Sequence, residues 1–268
     1  MAKLVSPIVD EEDEKEGQPL ILIAEDNKEI NEYLLETLQS ENFKVISAMN
    51  GAKAWELAEK KIPDLVITDV LMPKMGGLEL CGKLKNEPLT SHIPVIMLTA
   101  KTDDQSKIEG LEIGADDYLS KPFLPKELLI KIKNILKNRK ILQEKFQGEQ
   151  LNPVEVISIN KYDRELFQKI NKVIEANIKN PALSVEFIGD QIGMSREHLF
   201  RKLKAIAGTS PSEFIRSYRL NRAAQLLVEQ QLTVADAADE VGYNDVQYFS
   251  KSFRKKFNCS PNQYAKKN

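Results

Sequence analysis

Cysteine and histidine are nearly absent from this chain, with two of each in 268 residues: Cys81, Cys259, His92 and His198. The cysteines lie far apart and form no CxxC, so neither a disulfide framework nor a zinc site is expected, and both are read as ordinary buried residues. Long apolar runs are missing too. Stretches such as Leu20 to Ala24 and Val95 to Leu98 are strand-sized, far short of the ~20 residues a membrane-spanning helix needs. The opening MAKLVSPIVD lacks a basic start, a long apolar core and a small-residue cleavage site, so export is not indicated and a cytoplasmic location is expected.

The overall charge of −2 conceals an asymmetry. Residues 1–160 carry 20 Lys and Arg against 28 Asp and Glu, a net of −8, whereas residues 161–268 carry 18 against 12, a net of +6. A basic half suits a polyanion. Residues 1–18 include the acidic run DEEDEKE and have no apolar period, so a disordered tail is expected there.

From residue 19 to about residue 140, short apolar runs at 20–24, 44–48, 64–68, 94–99 and 117–120 alternate with helix-like segments. That alternation marks a parallel sheet with helices on both faces. Ile30, Leu34 and Leu38 share one helical stripe, and Leu128, Ile132, Ile135 and Leu136 another. Five strands and five helices fit an α/β flavodoxin-like doubly wound fold. Residues 141–162, whose first part can prolong the last helix before Gly148 and Pro153, read as a linker.

Residues 163–268 read as all-helical, with roughly seven short helices. Ser184, Ser195 and Thr233 stand where N-caps belong, and Ser210-Pro211-Ser212-Glu213 combines a capping box with proline at the first helical position. The half repeats itself at about fifty residues. Leu199, Arg201, Leu203, Pro211 and Phe214 pair with Phe249, Lys251, Phe253, Pro261 and Tyr264, with one residue added in the second turn.

In a doubly wound sheet, chemistry sits beyond the carboxyl ends of the strands. The first strand ends in Glu25-Asp26, the third in Asp69, the fourth in Thr99-Ala100 and the fifth in Lys121-Pro122. Three converging carboxylates repel one another without a cation, and an all-oxygen site suits Mg2+. Lys121 and Thr99 complete a phosphoryl site in which Asp69 is the nucleophile. An aspartate-nucleophile phosphatase would carry a second acid two residues on; Leu71 stands there, so the site is suited to holding a phosphoryl group rather than turning substrate over. Leu71 and Lys101, at the pocket mouth, are expected to set the phosphate lifetime.

The segments EDN at 25–27, TDVLMPKMGG at 68–77, LTA at 98–100 and GADDYLSKPF at 114–123 resemble the receiver domain of response regulators. That resemblance implies phosphorylation of Asp69 by a histidine kinase, and Mg2+ held by Glu25, Asp26, Asp69 and the backbone carbonyl of Leu71. It implies phosphoryl contacts from Thr99 and Lys121, Tyr118 as the switch aromatic, and a cis Lys121-Pro122 bond. Many receivers have two aspartates where this chain has Glu25-Asp26; a longer first carboxylate still reaches the metal through water.

A helix-turn-helix needs a short helix, a tight glycine turn and a second helix with long polar side chains outward. In the first repeat the second helix presents Arg196, Glu197, Arg201 and Lys204 beyond Gly193. In the second it presents Asp245, Gln247, Lys251, Arg254 and Lys255, with Phe249, Phe253 and Phe257 inward. Arg216, Arg219 and Arg222 lie on the long helix between. The segments MSREHLFRKLK, SPSEFIRSYRLNRAAQLL, VADAADEVGYNDVQYFSKSFRKKF and SPNQY resemble the AraC/XylS family of transcription regulators. That resemblance implies two recognition helices in successive major-groove segments of specific double-stranded DNA, ~34 Å apart. Glu197, Arg201, Gln247 and Lys251 are then the expected base readers, and Lys202, Lys204, Arg254 and Lys255 the phosphate contacts. Receiver, linker and AraC-type domain in this order resemble the end of a hybrid two-component protein. Dimerisation through the receiver, controlled by a surface around the fourth helix and fifth strand, is the expected readout.

Overall fold

The computed structural model describes residues 17–100, 110, 112–148 and 161–267, the side chains of 145–148 excepted. The expected acidic tail, apart from its last two residues, therefore lies outside the described residues, as does Lys101. The chain divides into two compact units, one holding all the strands and the other the helices from Phe167 onward.

In the first unit, strands β1 (Leu20–Ala24), β2 (Lys44–Ala48), β3 (Leu65–Asp69), β4 (Val95–Ala100) and β5 (Asp117–Lys121) form one sheet of order β2-β1-β3-β4-β5. Every pairing is parallel. This is the flavodoxin-like doubly wound order, which reverses its winding between β1 and β3. Helices α1 (Lys28–Ser40), α2 (Gly51–Lys61), α3 (Gly77–Asn86) and α4 (Pro125–Gly148) cover it. Between β4 and β5, Gly110, Glu112 and Ile113 are helical, and the rest of that segment lies outside the described residues.

Because strand side chains alternate, each strand feeds two cores. Ile21 and Ile23 join Leu34, Leu38, Leu128 and Ile132 under α1 and α4. Leu22 and Ala24 face Ala54, Ala58, Leu80, Cys81 and Leu84 under α2 and α3. Burial on both sides is why the strands read as continuous apolar runs. Helix α4 runs through Gly148, so residues 141–148, read as linker, are helical.

The second unit contains α5 (Lys161–Ala176) from Phe167 on, α6 (Val185–Ile192), α7 (Arg196–Ala207), α8 (Pro211–Glu229), α9 (Val234–Glu240), α10 (Val246–Phe257) and α11 (Pro261–Lys267). Four starts are fixed by side-chain caps. Ser184 accepts from Phe187 N–H, Ser195 from His198, Ser210 from Glu213 and Thr233 from Asp236. Each satisfies an N–H that the helix leaves open.

The repeat is visible in backbone detail. Helices α7 and α10 span the same number of residues at an offset of fifty, and end on left-handed residues Gly208 and Asn258. The turns before them carry Gly193 at φ 73° and Gly242 at φ 76°, forty-nine apart, which leaves the one added residue in the second turn. Gly242 is needed on two counts: its φ is left-handed, and a Cβ there would lie 2.6 Å from the Ile178 carbonyl oxygen. The long α8 packs against α7, α9, α10 and α11 and braces both repeats. Its Arg219 is buried and donates to the Asn180 carbonyl at 2.6 Å. Among the described residues, no helix is long and apolar enough to cross a membrane.

Candidate functional sites

The carboxyl ends of β1, β3 and β5 bring Glu25, Asp69 and Lys121 together. The Lys121 ammonium donates to Glu25 Oε2 at 2.7 Å and to Asp69 Oδ2 at 2.8 Å. Glu25 is fully buried, and its backbone is fastened by its own N–H to the Ala48 carbonyl and by Asn31 Nδ2 to its carbonyl oxygen. Its carboxylate also accepts from Asn27 N–H at 3.3 Å. Asn27 in turn caps α1, so the helix that follows β1 holds the acidic pair in place.

Asp26 is exposed beside them, and single carboxylate oxygens of Glu25, Asp26 and Asp69 all lie within 4.8 Å of one another. Three oxygen donors of one sign, open to water at Asp26, fit a small hard cation. Burial pushes the Glu25 carboxyl above its ordinary range and the charge of Asp69 adds to this, against the hydrogen bond from Lys121. For Lys121 burial works downward, but the bonds and charges of Asp69 and Glu25 outweigh it and raise its pKa. The ammonium therefore stays protonated as the counter-ion of the pocket.

Asp69 is positioned by close backbone packing. A Cβ at Gly77, the first residue of α3, would lie 2.0 Å from the Asp69 carbonyl oxygen, so the helix approaches the strand end only because that residue is glycine. Leu71 is 75% exposed, two residues past Asp69. Thr99 is buried, one residue beyond the register partner of Asp69, and Lys121 pairs in register with Ala100. The Lys121-Pro122 peptide is cis.

Tyr118 is half-buried on β5, paired with Met97. Its hydroxyl is buried and has no hydrogen-bond partner among the described residues. A Cβ at Gly110 would lie 1.8 Å from that oxygen. Burial pushes the phenol up to about 12.

On the second unit, α7 exposes Arg196, Glu197 and Lys204 with Arg201 partly covered, and α10 exposes Gln247, Lys251, Arg254 and Lys255. Glu197, Arg201 and Lys204, like Gln247, Lys251 and Arg254, follow the i, i+4, i+7 spacing of one helix face. Lys202 is a correction. Its side chain is fully buried, so it does not lie on the outward face where a phosphate contact was expected. The reason is its place at i+3 from Leu199 and i−4 from Ile206, both buried, which puts it on the inward stripe. Asp245 is the N-cap of α10: its Oδ1 accepts from Gln247 N–H at 2.7 Å and Tyr248 N–H at 3.1 Å, so the carboxylate is engaged by the helix itself.

Three features escaped the sequence reading. Glu186 on α6 pairs with Arg196 at 3.0 Å, and Glu197 pairs with Arg201 one turn along α7. The outer face of α10 also shows two apolar groups, Val246 and Tyr248, 40% and 43% exposed. Only the i, i+4 spacing of Glu197 and Arg201 offered a signal.

A parallel sheet ending in this acidic, lysine-bridged pocket, followed by two capped helix-turn-helix units, defines a signalling receiver joined to a DNA-binding-type domain. Residues 21–133 match the family model of the response regulator receiver domain, and residues 188–267 match that of a helix-turn-helix domain. The chain thus joins a receiver domain of the response-regulator family to a helix-turn-helix domain of AraC type.

It is 42% identical over 265 residues to "Histidine kinase P4" of Formosa agariphila, a match covering 96% of this chain and 19% of that protein. It is 41% identical over 117 residues to the "Phosphate regulon transcriptional regulatory protein PhoB" of Pseudomonas aeruginosa, covering 44% of this chain and 51% of that one. Among solved structures, the signal receiver domain of a signal transduction histidine kinase from Syntrophus aciditrophicus is 38% identical over 46% of this chain and 92% of its own, with a TM-score of 0.44. The chain spans about a fifth of the first of these relatives and about half of the second.

Proposed function

We propose that this chain is a phosphorylation-controlled transcription regulator in which a histidine kinase, in trans or on the same longer polypeptide, donates a phosphoryl group to Asp69. The observation that carries the reading is the Lys121 ammonium between Glu25 and Asp69. It marks Asp69 as a carboxylate whose added negative charge has a fixed counter-ion. An Asp69 oxygen attacks phosphorus in line as the phosphorus–nitrogen bond to the kinase histidine breaks, and the histidine leaves with the bonding pair. Lys121 and the Thr99 hydroxyl then face the phosphoryl oxygens.

Glu25, Asp26 and Asp69 would hold Mg2+ together with the Leu71 carbonyl, and the bound ion supplies positive charge against the phosphoryl oxygens. With Leu71 in place of an acid two residues after Asp69, no group is at hand to activate water, so the acyl phosphate stores a signal and the chain is not a turnover enzyme. Tyr118 and Thr99 reposition on phosphorylation, and a surface around β5 and the helical segment before it changes the pairing of two receivers. The domains implied are a receiver over residues 19–140, a connecting segment to 162 and the DNA-binding domain over 163–268.

The DNA-binding half places α7 and α10 in successive major-groove segments of specific duplex DNA. Glu197, Arg201, Gln247 and Lys251 read bases, while Lys204, Arg254 and Lys255 meet phosphates. The match to a histidine kinase over nearly the whole of this chain supports the reading of the chain as one part of a hybrid protein. The test is incubation with a small phosphodonor and Mg2+ followed by intact-mass measurement. Wild type gains one phosphoryl group and Asp69→Asn gains none; phosphorylation of both forms would refute the assignment. Leu71→Asn is expected to change the decay rate of the acyl phosphate, and an unchanged decay would remove Leu71 from that role.

A further inference from the structure

Because α7 and α10 repeat at an offset of fifty residues, their outward positions compare one with one. Along the outer stripe α7 carries Glu197, Arg201, Lys204 and Ala205 where α10 carries Gln247, Lys251, Arg254 and Lys255. The first stripe has one net positive charge and the second has three.

Ion pairing widens the difference. In the first helix-turn-helix, Arg196 is held by Glu186 and Arg201 by Glu197. On the second, no ion pair engages Lys251, Arg254 or Lys255 among the described residues, and α10 contains no acidic residue. A cation that arrives at DNA with a carboxylate beside it brings no net charge to the phosphates and releases few counterions. An unpaired one displaces close to one counterion per phosphate it neutralises.

We infer that the two helix-turn-helix units do unlike work: α10 supplies most of the salt-dependent hold on the duplex, and α7, whose Arg196 and Arg201 are each paired with a glutamate, supplies sequence discrimination through the Glu197–Arg201 pair. The pair suits a G·C step, with arginine donating to guanine O6 and N7 and glutamate accepting from cytosine N4. Gln247 gives α10 a reader for adenine, and Val246 and Tyr248 give it apolar contact for a thymine methyl. The inference rests on the DNA-binding reading above and deepens it: the operator has a G·C-reading half under α7 and a half under α10 that binds largely through its backbone.

The test uses the full chain and two duplexes, one carrying the sequence selected from a random pool and one with that sequence scrambled. Dissociation constants are measured between about 50 and 200 mM salt. Arg254→Ala and Lys255→Ala each lower the salt slope by about 0.9 and weaken both duplexes alike. Arg201→Ala leaves the slope unchanged but cuts the preference for the selected duplex about 5- to 150-fold.

Glu197→Gln removes the carboxylate beside Arg201 and steepens the slope on the scrambled duplex by about 0.9, a gain that misfolding does not produce. The inference is overturned if Arg201→Ala lowers the slope as much as Lys255→Ala, or if Glu197→Gln leaves it unchanged. Those outcomes, with wild type still preferring the selected duplex, leave the DNA-binding reading standing. A wild type that selects no duplex at all overturns both.

Discussion

Replacing Lys121 by methionine removes the ammonium held between Glu25 and Asp69 while keeping most of the side-chain volume. Glu25 is 1% exposed at its side chain and Asp69 17%, so the two carboxylates are left facing each other with little water to screen them. Removing one partner of a buried ion pair costs about 3–5 kcal/mol, and the partial exposure of Asp69 and Lys121 brings the expected loss below that range, to about 2–3 kcal/mol.

The chain has a single tryptophan, Trp55 on α2, packed against the core that includes Leu22, Leu80 and Leu84, so its fluorescence follows the receiver. At a urea dependence of about 1–3 kcal/mol/M, Lys121→Met shifts the Trp55 unfolding midpoint down by about 1–2 M. Mg2+ binds the native pocket and not the unfolded chain, and at a hundredfold excess over its Kd it returns about 2.7 kcal/mol. It should raise the midpoint more in the variant, where no ammonium competes for the carboxylates, than in wild type. An unaltered midpoint in Lys121→Met, or equal stabilisation of both forms by Mg2+, would refute the account of the pocket as a cation site balanced by Lys121.

Other perturbations have equally defined outcomes. Gly77→Ala pushes α3 off the end of β3, because the added Cβ would meet the Asp69 carbonyl oxygen at 2.0 Å; Mg2+ affinity and phosphoryl uptake should fall together, and normal uptake would count against this packing role. Phe253 is fully buried, 4.4 Å from the Phe257 ring centroid and 5.5 Å from that of Tyr264. Phe253→Ala should cost about 3–5 kcal/mol, seen as a lower far-ultraviolet dichroism midpoint with the Trp55 transition unmoved, and an unchanged dichroism midpoint would contradict it. Burial pushes the Cys81 thiol up to about 11, so at pH 7.5 its thiolate is scarce; a maleimide should label Cys259 in the native chain and reach Cys81 only in denaturant. Rapid native labelling of Cys81 would contradict that core.

Much of this was legible from local pattern. Strands buried on both faces leave apolar runs, and β1 to β5 lie within a residue of those runs. Ser184, Ser195, Ser210 and Thr233 cap helices because a hydroxyl before an apolar period has few other uses. The acidic pocket was legible because strand ends must meet there in a parallel sheet.

What failed needed three-dimensional information. Lys202 was assigned by its charge, although its spacing from Leu199 and Ile206 placed it inward. Asp245 was read as part of a recognition surface, while its carboxylate caps the helix. Cys259, taken as buried, is half-exposed. The Glu186–Arg196 pair joins two helices through a turn whose geometry no periodicity encodes, and the orientation of Tyr118 depends on how closely Gly110 packs against it.

The central claim is that phosphorylation of Asp69 governs DNA recognition by α7 and α10. Binding-site selection from random duplex DNA, run on wild type with and without a small phosphodonor plus Mg2+ and on Asp69→Asn as control, tests it most directly. The account predicts a selected motif whose affinity changes on phosphodonor treatment in wild type and stays fixed in Asp69→Asn. A motif selected with the same affinity in all conditions would contradict it and leave the receiver without control over the DNA-binding half.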